Sequence, residues 1–186
     1  MREKQARVEF LRKEYRLLYN IVGLDEIRNR YGSVAAMQEV AKENPEDFDR
    51  IDLPWIIALL VNQSIDLDNF EHGTTKEHVN EEWIRDVCEN HIIRDTFYQA
   101  IIEAIVLGND GAPKGDPEAE IDEVLEELDR KEGVDRTVPP LQYLFWGMQC
   151  GLTQKEAWLT TPGRIWELWQ YKLEHDLPVK LRRWIE

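Results

Sequence analysis

Along the chain, apolar and polar positions alternate first with a period of two and then with the period of a helix. Val8, Phe10 and Leu11 lie on one side of Arg12-Lys13, and Tyr15, Leu17 and Leu18 on the other. The partial two-residue alternation predicts a short β-hairpin. A helix through the same residues is the competing reading, because no Asn-Gly or Asp-Gly pair marks the turn. From Val22 onward the pattern is helical. Val22 to Tyr31 ends at Gly32, Ser33 caps a second helix to about Lys42, and Asn44-Pro45 breaks it. Asp52 stands where an N-cap belongs, with Pro54 in the first turn. The run Trp55 to Val61 is apolar on every side and predicts a central, surrounded helix.

A polar stretch, Asp66 to Thr75, separates that helix from another expected over about Lys76 to Glu89. The next, about Ile92 to Leu107, sets Ile93, Phe97, Ile101 and Ile105 four apart on one face. Residues 1–108 therefore read as a helical domain with an N-terminal hairpin and roughly five helices. Gly108 to Gly115 reads as a flexible joint. Within the segment 109–138, Asp116-Pro117-Glu118 predicts a helix start. Ile121, Val124, Leu125 and Leu128 then follow at i, i+3, i+4 and i+7. That seam is expected to dock on the protein itself. Pro139-Pro140 opens a last unit, residues 139–186. It should hold a helix from Leu141 to Cys150 and a capping box at Thr153–Glu156, then a helix after Thr161-Pro162. The fold class is mainly α: a small N-terminal β-hairpin packed on a helical domain, a linker helix and a short C-terminal helical unit.

Charge sharpens this division. The chain carries a formal net charge of −14, and residues 109–135 hold eleven acids against three bases. The first sixteen residues run the other way, with six bases and three acids, and Lys180, Arg182 and Arg183 make the tail basic. An acidic surface repels phosphate, so nucleic acid is not an expected partner. Nor is a membrane, since the longest apolar run has seven residues (Trp55 to Val61) against the about 20 a bilayer requires. Two cysteines, Cys88 and Cys150, and a charged N-terminus fit a reduced, cytoplasmic protein.

Motifs that carry chemistry are sparse in the chain. His72, His78, Cys88 and His91 offer one close Cys-x-x-His pair where zinc sites use two. Asp66, Asp68, Asn69, Glu71 and His72 are dense in ligands, yet Phe70 and Glu71 fall where a calcium loop needs a ligand and a glycine. Gly111 to Gly115 lacks the Gly-Lys-Ser/Thr end of a phosphate loop, and no nucleophile motif is present. No catalytic, cofactor or metal residue is assigned, and the chain reads as a non-enzyme. A small metal-dependent helical enzyme built on the Asp66–His72 and Cys88–His91 cluster is kept as an alternative. So is an acidic decoy or adaptor for a basic protein.

Tryptophan placement points instead to protein binding. Five of the seven tryptophans lie in the last 41 residues. Trp158, Trp166 and Trp169 fit the core of a small unit. Phe145, Trp146, Tyr171 and Trp184 are read as contact surface, since Trp and Tyr are favoured interface anchors, with core packing as the alternative.

Two stretches give the chain a resemblance. Phe10 to Leu17, followed by Leu24 to Ser33 with its Tyr31-Gly32-Ser33 turn, is one. Leu144 to Leu168, with Gly151-Leu152-Thr153 leading to Glu156 and then Thr161-Pro162, is the other. Together they resemble the tail assembly chaperones of long-tailed bacteriophages and their prophage relatives, in the extended form with a C-terminal unit. A departure is Gly163-Arg164, where many relatives carry an acidic residue. The resemblance implies a chaperone that binds the helical tape-measure protein, keeps it soluble and helps recruit tail-tube protein in the host bacterial cytoplasm. It also implies possible homo-oligomers around the client and an extended form made by ribosomal frameshifting. Grooves between the N-terminal helices are expected to take the client, with the aromatic C-terminal unit on a tether.

Overall fold

The computed structural model describes residues 3–113 and 138–176. The fold is mainly α, with one two-stranded antiparallel hairpin packed on the helices. Strands β1 (Ala6–Phe10) and β2 (Lys13–Leu17) pair in a register running from Ala6 opposite Leu17 to Phe10 opposite Lys13. The period of two buries Ala6, Val8, Tyr15 and Leu17 on one face. The connection is the two residues Leu11-Arg12, both at positive φ (51° and 60°). Two-residue hairpins demand that geometry because it matches the strand twist. Asn-Gly adopts it readily, whereas Leu and Arg hold it at roughly 1–2 kcal/mol each. The turn is thus imposed by strand pairing and burial, which is why the sequence at 11–12 does not announce it.

Six helical segments follow in the N-terminal part. They are α1 (Ile21–Tyr31), α2 (Val34–Glu43), the single turn α3 (Pro45–Asp47), α4 (Leu53–His72), α5 (Glu81–Cys88) and α6 (His91–Gly108). A π-helical turn, Phe48–Asp52, joins α3 to α4. The expected caps at Ser33 and Gly32 are in place: the Ser33 hydroxyl accepts from the Ala36 N–H (3.0 Å), and Gly32 takes φ 85°. Asp52 is not a cap. Its backbone is already helical, and its Oδ1 accepts from Arg30 (2.6 Å) and the Tyr31 hydroxyl (2.7 Å), tying α1 to the start of α4.

Two boundaries differ from the reading of the pattern. Helix α4 runs on through Asp66 to His72, and α5 begins at Glu81 rather than Lys76. Both differences have one cause. Polar side chains of α4 hold the segment 74–80 as an extended strap. Asn62 exchanges hydrogen bonds with the Val79 backbone, and Asn69 with the Lys76 backbone. Residues that look like a helix exit are therefore helical residues satisfying a neighbouring loop.

The main core gathers the hairpin and α1, α2, α4, α5 and α6, with Ile56, Ile57, Leu60, Ile84 and Phe97 fully enclosed. Of the C-terminal helices α7 (Pro140–Gln149), α8 (Gln154–Leu159) and α9 (Pro162–Asp176), the first two pack on α1, and α9 packs on α7 and α6. Ile21 of α1 shares a second core with Val138, Tyr143, Trp146 and Ile165. The Ile21 N–H donates to the Thr160 carbonyl (3.1 Å), and Arg28 donates to the Val138 carbonyl (3.4 Å). Backbone meets backbone at Gly163, where a Cβ would stand 2.1 Å from the Asp110 carbonyl oxygen. Gly108, read as the start of a joint, is buried with the Tyr19 carbonyl 2.4 Å from its own Cβ position. The expected helix and seam at Ile121, Val124, Leu125 and Leu128 lie outside the described residues. Among the described residues, no helix is long and apolar enough to cross a membrane.

Candidate protein-binding surface

Helix α7 starts at the Pro139-Pro140 pair, with Pro140 in the first turn where its missing N–H costs nothing. Its end is closed by Gly151 at φ 93°. Between those stops the sequence is apolar on two opposite sides. One side buries Tyr143, Trp146 and Gly147. The Trp146 ring meets Tyr143 edge-on (5.5 Å, 89°), Trp166 at a tilt (5.2 Å) and Trp169 nearly parallel (6.1 Å, 15°). Burial also pushes the Tyr143 hydroxyl pKa up to about 12.

The opposite side of α7 is bare. Leu141, Phe145 and Met148, at i, i+4 and i+7, are 68%, 51% and 49% exposed. No Asp, Glu, Lys or Arg occurs from Thr137 to Gln154, in a chain that is 32% charged. Solvent-facing helix surfaces ordinarily carry charge, so an uncharged apolar stripe of this kind is a candidate contact surface.

The expected contact residues separate on this evidence. Phe145 lies at the centre of the exposed stripe. Trp146 is a correction: it is fully enclosed at 0% exposure and is a core residue. One position along a helix turns the side chain by about 100°, and the C-terminal aromatic cluster claims the Trp146 side. Tyr171 is exposed on α9, its ring stacked on His175 at 3.9 Å. Trp184 lies outside the described residues. Trp158, Trp166 and Trp169 pack around the second core, as expected. Leu141 and Met148 were not singled out from the sequence, although the missing charge over 137–154 was there to find them.

Among the N-terminal helices, where grooves for a client are expected, one recess is nearly closed. The apolar recess between α2 and α6, lined by Met37, Ala41, Tyr98 and Ile105, holds about 20 Å³, roughly room for one water. Elsewhere, Cys88 is buried, and burial raises its thiol pKa to about 11. Asp66 pairs with His78 (2.7 Å) and Asp68 with His72 (3.2 Å) at the surface. Among the described residues, no three His, Cys, Asp or Glu side chains converge as a metal site.

The N-terminal residues reach across to this unit. The Glu3 carboxylate accepts from the Thr161 hydroxyl (2.8 Å) and its N–H (3.4 Å) at the start of α9. Lys4 pairs with Asp110, and Gln5 accepts from the Ser64 hydroxyl (3.1 Å). Glu3 thus joins the first residues of the described structure to the start of α9. The chain matches no protein-family model, no curated protein and no solved structure.

Proposed function

We propose that this chain is a phage tail assembly chaperone that holds the apolar stripe of the tape-measure protein against α7. In this role it keeps the client soluble while tail-tube protein is recruited. The observation that carries the reading is the charge-free face of Leu141, Phe145 and Met148. The stretches of family resemblance, Phe10–Leu17 with Leu24–Ser33 and Leu144–Leu168, support it. The fit is that of two helix faces: an amphipathic client lays its own i, i+4, i+7 residues along a stripe of the same period.

Magnitude constrains the arrangement. Covering three half-exposed side chains contributes on the order of 3–6 kcal/mol. Association costs of about 4–15 kcal/mol consume most of that. One copy on one client segment therefore binds weakly. A long client that engages several copies in a row gains by effective concentration, and possible homo-oligomerisation belongs to this proposal.

The test is co-expression of a tape-measure protein with this chain and with its Leu141→Glu/Phe145→Glu variant. The native chain should raise the soluble fraction of the client several-fold and the variant should not, with the variant's own thermal transition unchanged. Equal client solubility without this chain, or with the variant, would end the proposal.

A further inference from the structure

A second surface differs from the α7 stripe in its chemistry. Between α4 and α8 lies an open cleft of about 740 Å³. Phe70, Trp158 and Leu159 give it an apolar, aromatic lining, and Asp25 and Asp66 also line it. Phe70 keeps 39% of its surface exposed at the end of α4.

Three observations define what the cleft takes. First, a cation already uses its aromatic wall: the Lys155 ammonium stands 5.1 Å from the centroid of the Phe70 ring. Among the described residues Lys155 has no carboxylate partner, so the ring face alone positions it. Second, the two carboxylates are under-used. Asp66 accepts from His78 through Oδ1 (2.7 Å), and Asp25 accepts one long bond from Asn29 (3.4 Å). Neither pairs with a lysine or arginine among the described residues. Third, Val22, Phe70, Trp158 and Leu159 set apolar surface beside the carboxylates, with the polar side chains of Gln63, Asn69, Thr74 and Gln154 among them, so the lining suits a hydrogen-bonding charged head on a hydrocarbon stem rather than a bare ion.

We infer that the α4–α8 cleft binds a basic side chain, an arginine above all, presented by a partner protein. A planar guanidinium lies flat on Trp158 or Phe70 while its N–H fork donates to Asp25 or Asp66. Lysine fits the same lining with one compact charge and no fork. Lys155 sets the limit, since its like charge opposes a second cation and keeps the site weak until a partner supplies further contacts. The inference stands independently of who the client of α7 is.

Titration of the full chain with N-acetyl-L-arginine amide tests it, followed through the Trp158 indole N–H resonance assigned by Trp158→Phe. The arginine derivative should shift that resonance saturably, and the uncharged N-acetyl-L-norleucine amide, which keeps an aliphatic stem without the guanidinium, should not. Asp25→Asn/Asp66→Asn should weaken the response roughly fivefold or more, and Lys155→Gln should strengthen it. No saturable shift, an equal response to norleucine, or indifference to the double Asp→Asn change would overturn the site. A Trp158 shift produced without added ligand by Lys180→Gln/Arg182→Gln/Arg183→Gln would also overturn it, by giving the cleft to this chain's own tail.

Discussion

Adjacent side chains at 145 and 146 carry opposite duties. Trp146 is enclosed by Tyr143, Trp166 and Trp169, so its removal leaves a cavity at the centre of the second core. Trp146→Ala should cost about 3–5 kcal/mol of stability, as large-to-small changes at closed aromatic sites do. Phe145→Ala, on the exposed side of the same helix, should cost about 0.5 kcal/mol or less, while lowering client retention. Urea unfolding of the two variants decides this, and equal losses would mean that α7 is seated differently. Composition points to a large aromatic at both positions, but it does not say which way the helix is turned.

The elements are held at their ends by short-range contacts and against one another by long-range ones. Ser33, Asn80, Asn90 and Thr153 each cap the helix that follows them, and Thr153 with Glu156 completes the reciprocal box. The start of α9, seated by Ile165, Trp166 and Trp169, is also held by Glu3, 158 positions away along the chain from Thr161. Burial raises the Glu3 carboxyl above its ordinary value of 4.5, more than its bonds to Thr161 lower it. The folded protein thus holds the Glu3 proton more tightly than the unfolded chain does. The associated stabilisation is full below the unfolded value and is lost as pH rises through the higher folded one. Glu3→Gln keeps the acceptor oxygen without the charge, so it should hold α9 at neutral pH as well as the native residue or better. Glu3→Ala loses the acceptor and should weaken docking by about 1 kcal/mol. Hydrogen exchange at the Ile165 amide in the first turn of α9 reads both; faster exchange in Glu3→Gln would contradict the assignment.

Across the whole molecule, two surfaces of different physics face outward. The α7 stripe is apolar and uncharged, and the α4–α8 cleft sets carboxylates beside aromatic rings, in a protein of net charge −14. Salt separates them. Client retention on the α7 face should change by less than about threefold between about 0.05 and 0.5 M salt, because screening acts on charges and not on apolar contact. Binding of the arginine probe in the cleft should weaken steadily over the same range. Client binding that collapsed with salt would move the client off α7 and onto an acidic surface.

Much of the fold was legible because its signals are local. The cap at Ser33, the stop at Gly32 and the capping box at Thr153 each depend on residues within a few positions of one another, and each is where the pattern puts it; the hairpin forms as the alternation predicts but turns at Leu11-Arg12, one residue before the expected Arg12-Lys13. The ends of α4 and the start of α5 were not legible, because Asn62 and Asn69 spend their hydrogen bonds on a strap 7 to 17 residues away. For the same reason the sequence left open which side of α7 is buried. Both sides are apolar, and only the arrival of α9 with Trp166 and Trp169 consigns Trp146 to the core and leaves Phe145 in solvent. By itself, then, the sequence determined the elements, their caps and the mainly helical class, through contacts a few residues long. Tertiary structure alone decided which apolar faces go into the core and which stay exposed, since that choice is made by residues of separate elements, such as Ile21, Trp166 and Trp169 around Trp146, brought together on folding.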